Sequence, residues 1–185
     1  MFLSFYCLPI WKTVAALFLV LLLWCVLSHR CSRAGPHLWV WKILCGVGTL
    51  LWIIAILYVT LLSRSAGDGA VYLLPFHQML SVLQGGNPEI LRSAWMNVLL
   101  FVPLGMILPE LFPADWPLSR RLLVTGLSSM AFSTGIELMQ WCWTLGTAET
   151  DDVLANTLGA VIGVLGTRLG RAYLSQCERF RQLPR

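Results

Sequence analysis

Residues 38–62 read LWVWKILCGVGTLLWIIAILYVTLL, with a single charge, Lys42, near the start. A run of this length and apolarity matches the roughly 17–25 residues that one membrane-spanning helix needs. Four further runs follow the same pattern. Leu8 to Ser28 precedes it, broken only by Lys12. Trp95 to Leu111, Leu122 to Trp143 and Val153 to Leu169 come after it. The expected fold class is an all-α integral membrane protein with about five transmembrane helices. Composition agrees: 57% of the 185 residues are hydrophobic and 12% charged, against roughly 25% charged in soluble domains. A water-soluble globule of this size could not cover its surface with so few charges. The sequence shows no repeat, no low-complexity tract and no soluble domain.

The net charge of +4 is unevenly distributed along the chain. Arg30, Arg33, Lys42, Arg120, Arg121, Arg168, Arg171, Arg179, Arg181 and Arg185 fall on one side of a five-span topology. Lys12, Arg64 and Arg92 fall on the other. Basic residues mark the cytoplasmic face, so the N-terminus is expected outside and the C-terminus in the cytoplasm. Tryptophans suit the interfaces in the same scheme, with Trp11, Trp95, Trp141 and Trp143 outside and Trp39, Trp41 and Trp116 inside. The basic excess therefore speaks for orientation and not for nucleic acid. Ser28-His29-Arg30-Cys31 offers no small-x-small cleavage site, so the first run is read as a retained span. The six cysteines form no metal-ligand spacing and are expected as free thiols, with a Cys7–Cys142 bridge the one alternative.

Two outer segments remain. In residues 63–94, Gly67-Asp68-Gly69 signals a turn. Ala70 to Leu83 is largely apolar, either lying along the membrane or partly re-entering it, and Gly85-Gly86-Asn87-Pro88 ends it. Residues 144–152 are acidic, with Glu149, Asp151 and Asp152 and no base.

An ionisable group inside a span costs about 2.5–3.5 kcal/mol on insertion scales. Glu137 is the clearest case, about 22 Å from the inner end of its helix. Gly126, Ser129, Ser133, Glu137 and Gln140 share one stripe on that helix. Asp152, Asn156, Gly159 and Gly163 share one on the last helix, and Asn97, Phe101 and Gly105 one on the third. Small residues let membrane helices approach closely, so these faces are expected to meet. Asn97, Glu137, Gln140, Asp152 and Asn156 would then line one polar cavity open to the outside, with Asp151 pointing elsewhere or preceding the first turn. For Asp151 and Asp152, capping of the last helix is an equal alternative. For Asn97 and Asn156, so is simple interhelical bonding.

Four segments resemble the VanZ-like membrane proteins. Asn97-Val98-Leu99-Leu100-Phe101-Val102-Pro103-Leu104-Gly105 is similar to that family's N-hydrophobic-LF-hydrophobic-P-x-G element. Ile136-Glu137-Leu138-Met139-Gln140 is similar to its I-E-x-x-Q element, and Asp151-Asp152 through Asn156-Thr157-Leu158-Gly159-Ala160 to its D-D-x-x-x-N-T-x-G element. Leu73-Leu74-Pro75-Phe76 is similar to its L-x-P-F loop. The family often has an Arg and a further Asp before the paired acids. Here Gly146 to Thr150 holds Glu149 near the Asp position and no Arg. The resemblance implies a four-helix family core in residues 36–170, an added N-terminal helix and cytoplasmic loop in 1–35, and a basic cytoplasmic tail in 171–185. It also implies a bacterial cytoplasmic-membrane protein acting at the cell envelope, since the founding member is tied to teicoplanin resistance.

Three functions are compatible with these residues. The first is an outward-facing site for a lipid-linked or cell-wall ligand, bound by Asn97, Glu137, Gln140, Asp151, Asp152 and Asn156. The second is a membrane enzyme, with Glu137 as general base or with Asp151 and Asp152 on a divalent cation; no other cofactor is implied. The third is a small transporter with Glu137 as proton site, which the lack of an inverted repeat disfavours. Oligomeric state is not legible in the sequence.

Overall fold

The computed structural model describes residues 10–31, 38–62, 69–85 and 89–181. Cys7, the Gly67-Asp68 turn and the Gly86-Asn87-Pro88 break lie outside them. Among the described residues there are six α-helices: α1 (Ile10–Cys31), α2 (Leu38–Leu57), α3 (His77–Leu83), α4 (Glu89–Ile107), α5 (Leu118–Cys142) and α6 (Thr150–Arg181). Four helical segments are long and apolar enough to cross a membrane: Leu38–Leu62, Arg92–Leu111, Leu118–Cys142 and Thr150–Phe180. They are largely apolar on their outer faces too, with Leu50, Leu51, Leu123 and Leu158 exposed. In water such faces would drive association; in lipid they are the solvated surface.

The centre of the bundle is the parallel pairing of α4 and α6. A Cβ on Gly105 would lie 2.6 Å from the carbonyl carbon of Ala160, and one on Gly163 would lie 2.9 Å from that of Gly105. Glycine is needed because backbone meets backbone there. On α4 the face that meets α6 is Val98, Val102 and Gly105, one position round from the expected Asn97, Phe101 and Gly105. Phe101 flanks that contact, packing with Ile56, Leu61, Leu104 and Ile136 as well as with Ala160 of α6.

α5 runs antiparallel to α6 and presents Thr125, Ser129, Ser133, Ile136, Glu137 and Gln140 as its buried side. Gly126 is only half-buried, and a Cβ there would meet Val161 at an ordinary 3.8 Å. Pro109 and Pro113 to Pro117 end α4 and start α5, since proline cannot donate to a helix interior but suits a first turn. Arg121 holds that turn closed. Its guanidinium donates to the carbonyls of Pro109 (2.7 Å), Pro113 (2.7 Å) and Trp116 (3.2 Å).

Three features depart from the expectation drawn from apolar runs. α2 widens into a π-helical turn over Tyr58–Leu62. α6 continues without a break to Arg181, so the basic segment from 171 is helical through that residue. Its Arg, Ala, Leu, Gln and Glu are good helix formers, and an apolar criterion stops at Leu169 while the helix does not. The fold is also not wholly α. Two strands, β1 (Val71–Tyr72) and β2 (Ala148–Glu149), pair in parallel and tie the two interhelical segments together.

α1 packs its C-terminal end on α6. Cys25 lies against Gly170, Arg171 Nε donates to Ser28 Oγ at 3.0 Å, and His29 Nε2 lies 3.1 Å from Glu178. The five described cysteines, Cys25, Cys31, Cys45, Cys142 and Cys177, are free thiols.

Candidate functional site

At the end of the bundle where α5 stops and α6 begins, the acidic segment folds back over the helices. Thr144 (φ 51°) and Gly146 (φ 137°) turn the chain sharply. β2 then lies beside β1, with Ala148 N donating to Ala70 O at 2.9 Å. This places the backbone N–H of Glu149 2.9 Å from Glu137 Oε2. Glu137 is buried, and a hydrogen bond to the ionised form offsets part of the cost of burying it.

Asp151, in the first turn of α6, reaches across to the other loop. Its two carboxylate oxygens accept the backbone N–H groups of Phe76 and Gln78, the latter at 2.8 Å. Phe76 itself is left-handed (φ 63°), a strained conformation for a bulky residue. Asp151 therefore caps α3, a helix other than its own. Gln78 completes the clamp. Its Nε2 donates to Glu149 Oε2 at 2.6 Å and to Asp152 Oδ1 at 3.2 Å. Thr147 Oγ1 donates to the other Glu149 oxygen at 3.0 Å.

The remaining expected residues lie between helices. Gln140 Nε2 donates to the carbonyl of Thr60 at 2.9 Å, a carbonyl in the π-turn of α2. Asn156 Nδ2 donates to Ser133 Oγ at 2.8 Å. Asn97 is half-buried, and its amide nitrogen has no hydrogen-bond partner among the described residues. The acids and Gln78 thus form one connected network, while Asn97, Gln140 and Asn156 sit apart from it. Gln78 was not among the expected site residues. Its one signal in the sequence is its place two residues after the Leu73-Leu74-Pro75-Phe76 segment.

Beside this network is a cleft of about 350 Å³ between β1, β2 and the outward face of α5. Val71, Leu73, Leu138, Trp141, Ala148 and Val153 make most of its wall. The polar groups are Glu137, Glu149, Thr134 and Thr150. Of the six residues expected to bind, Glu137 alone lines it. Leu73, Leu138 and Trp141 are exposed, so the cleft opens sideways on the outer surface of the bundle. Among the described residues there is no group of three or more His, Cys, Asp or Glu placed to hold a metal ion. His77 stacks on Tyr72 with ring centroids 4.6 Å apart.

The sequence profile of the VanZ/LLP1 family matches residues 48–171. The chain belongs to the VanZ/LLP1 family. The matched region takes in the second half of α2 and all of α3 to α5, and ends at Arg171 within α6. It leaves α1 outside. No curated protein and no solved structure matches the chain. The VanZ/LLP1 region therefore contains the whole acidic network, the loop pair and the cleft.

Proposed function

We propose that this VanZ/LLP1 protein acts at the bacterial cell envelope from the cytoplasmic membrane, holding a lipid-linked cell-wall ligand or a glycopeptide in the cleft beside Glu137. The observation that carries the reading is the make-up of that cleft. Apolar walls open to lipid suit a hydrocarbon chain, and the carboxylates at its polar edge suit a hydrogen-bonding headgroup. Glu137 faces the ligand. Asp151, Asp152 and Gln78 hold the α3 loop over it, and Gln140 and Asn156 position α5 against α2 and α6.

In this reading α1 is a fifth span, since 22 residues extend about 33 Å. The basic bias puts the N-terminus and the cleft outside, the C-terminus in the cytoplasm, and the ligand in the outer leaflet. A contribution to teicoplanin resistance is the family-level expectation.

The test is teicoplanin susceptibility of a strain expressing the chain, with Glu137→Gln and the cleft-filling Thr134→Trp compared at matched membrane levels. Both variants lose any protection conferred by the native chain. Protection retained in full by both refutes the reading.

A further inference from the structure

The opposite end of the bundle holds a second cavity, of about 500 Å³, between the start of α2, the α4–α5 turn and the middle of α6. Met106 and Val164 form part of its wall. Its charged lining is Lys42, Arg121, Arg168 and Arg171 against Glu110 and Asp115, an excess of two positive charges.

Three of the six charged groups are already committed. Glu110 accepts from Arg171 Nη2 through one oxygen and from Trp41 Nε1 through the other at 3.2 Å. Arg121 is spent on the carbonyls of the turn. Lys42 and Arg168 have no hydrogen-bond or ion-pair partner among the described residues, and Asp115 is exposed. A further polar group faces the same space. Thr167 lines the cavity, is only 6% exposed, and its hydroxyl has no partner. Buried hydroxyls are seldom left unpaired. Two uncommitted cations, an orphaned hydroxyl and an apolar floor form a receptor for a compact anion.

We propose that this cavity binds a phosphate group, contacted by Lys42, Arg168 and the Thr167 hydroxyl. The group comes either from an anionic phospholipid headgroup, whose chains would continue along the apolar wall, or from a soluble phosphate. The site is distinct from the cleft at Glu137 and does not depend on that reading.

Native mass spectrometry of the full-length protein in detergent tests the lipid source, with phosphatidylglycerol against phosphatidylcholine as probes. Thermal stabilisation by inorganic phosphate, with chloride as control, tests the soluble one. Lys42→Gln/Arg168→Gln is compared with Arg179→Gln, an exposed arginine on α6 away from the cavity, and with Thr167→Val. The double variant is expected to weaken phosphate-bearing probes about thirty-fold, with Arg179→Gln unchanged and Thr167→Val intermediate. Selective loss of phosphatidylglycerol assigns the lipid, and selective loss of stabilisation by inorganic phosphate assigns the soluble anion. Equal binding by native chain and folded double variant, or binding of neither probe by the native chain, overturns the proposal.

Discussion

Replacing Gly159 by alanine puts a methyl group where α4 and α6 touch. The added carbon would lie 2.9 Å from the carbonyl carbon of Val98 and 3.1 Å from its Cα. Carbon pairs prefer roughly 3.5–4.0 Å, and both neighbours are backbone, so no side chain can turn aside. The Val98 carbonyl oxygen lies closer still, so the helices must part by about 1 Å, along the same seam that packs Gly105 and Gly163. Overpacking of this kind costs about 1–3 kcal/mol, offset by up to ~1 kcal/mol from alanine's better helix propensity. Gly135 supplies the control, because a Cβ there meets nothing within 4 Å. Gly135→Ala should gain the propensity term and lose nothing. The propensity term is common to both, so the two variants should differ by about 1–3 kcal/mol, or about 2–12 °C in unfolding midpoint for a chain of this size. Intrinsic tryptophan fluorescence of the purified protein in detergent reads it directly. Gly159→Ala melting at or above Gly135→Ala would refute the backbone-contact account of the family core.

Arg171→Met strands the buried Glu110 carboxylate and should destabilise by about 3–5 kcal/mol, while Arg171→Met/Glu110→Gln recovers most of the loss; equal melting of the two variants contradicts the pairing. Asp151→Ala removes the acceptor for the Phe76 and Gln78 amides, so hydrogen exchange at those two amides should speed by at least tenfold, with α4 and α6 unchanged. Gln140→Leu leaves the Thr60 carbonyl without its partner and should cost about 1–2 kcal/mol, read as a lower unfolding midpoint in detergent.

The span pattern was legible because apolar length is a strong signal, and residues 38–62 alone come close to settling the class. The α6 seam was legible for a similar reason. Gly159 and Gly163 sit four apart on a helix, and only close packing explains the spacing well. The α4 side was misjudged by one position because Asn97 and Phe101 looked like the chemical face, whereas the contact is made by Val98 and Val102 with no polar marker. The loop pairing was hidden. Two-residue strands carry no periodicity, and Val71 to Leu83 reads equally well as a membrane-surface segment. Glu137 was conspicuous as an acid in an apolar run. Gln78, which links Glu149 to Asp152, was not, because a glutamine in a loop costs nothing and stands out from nothing. The π-turn at Tyr58–Leu62, from which Thr60 offers its carbonyl to Gln140, has no proline or glycine to announce it.

The most direct test of the central claim is to place a photo-crosslinking amino acid at Leu138, in the wall of the cleft, and irradiate cells expressing the full chain. The mass of any adduct on the purified protein is then measured. The account predicts a lipid-linked or glycopeptide adduct at Leu138 that falls at least several-fold in Glu137→Gln and is absent from the same probe at Leu123, an exposed position elsewhere on α5. An adduct profile at Leu138 identical to that at Leu123, and indifferent to Glu137→Gln, would mean that the cleft sees only bulk lipid.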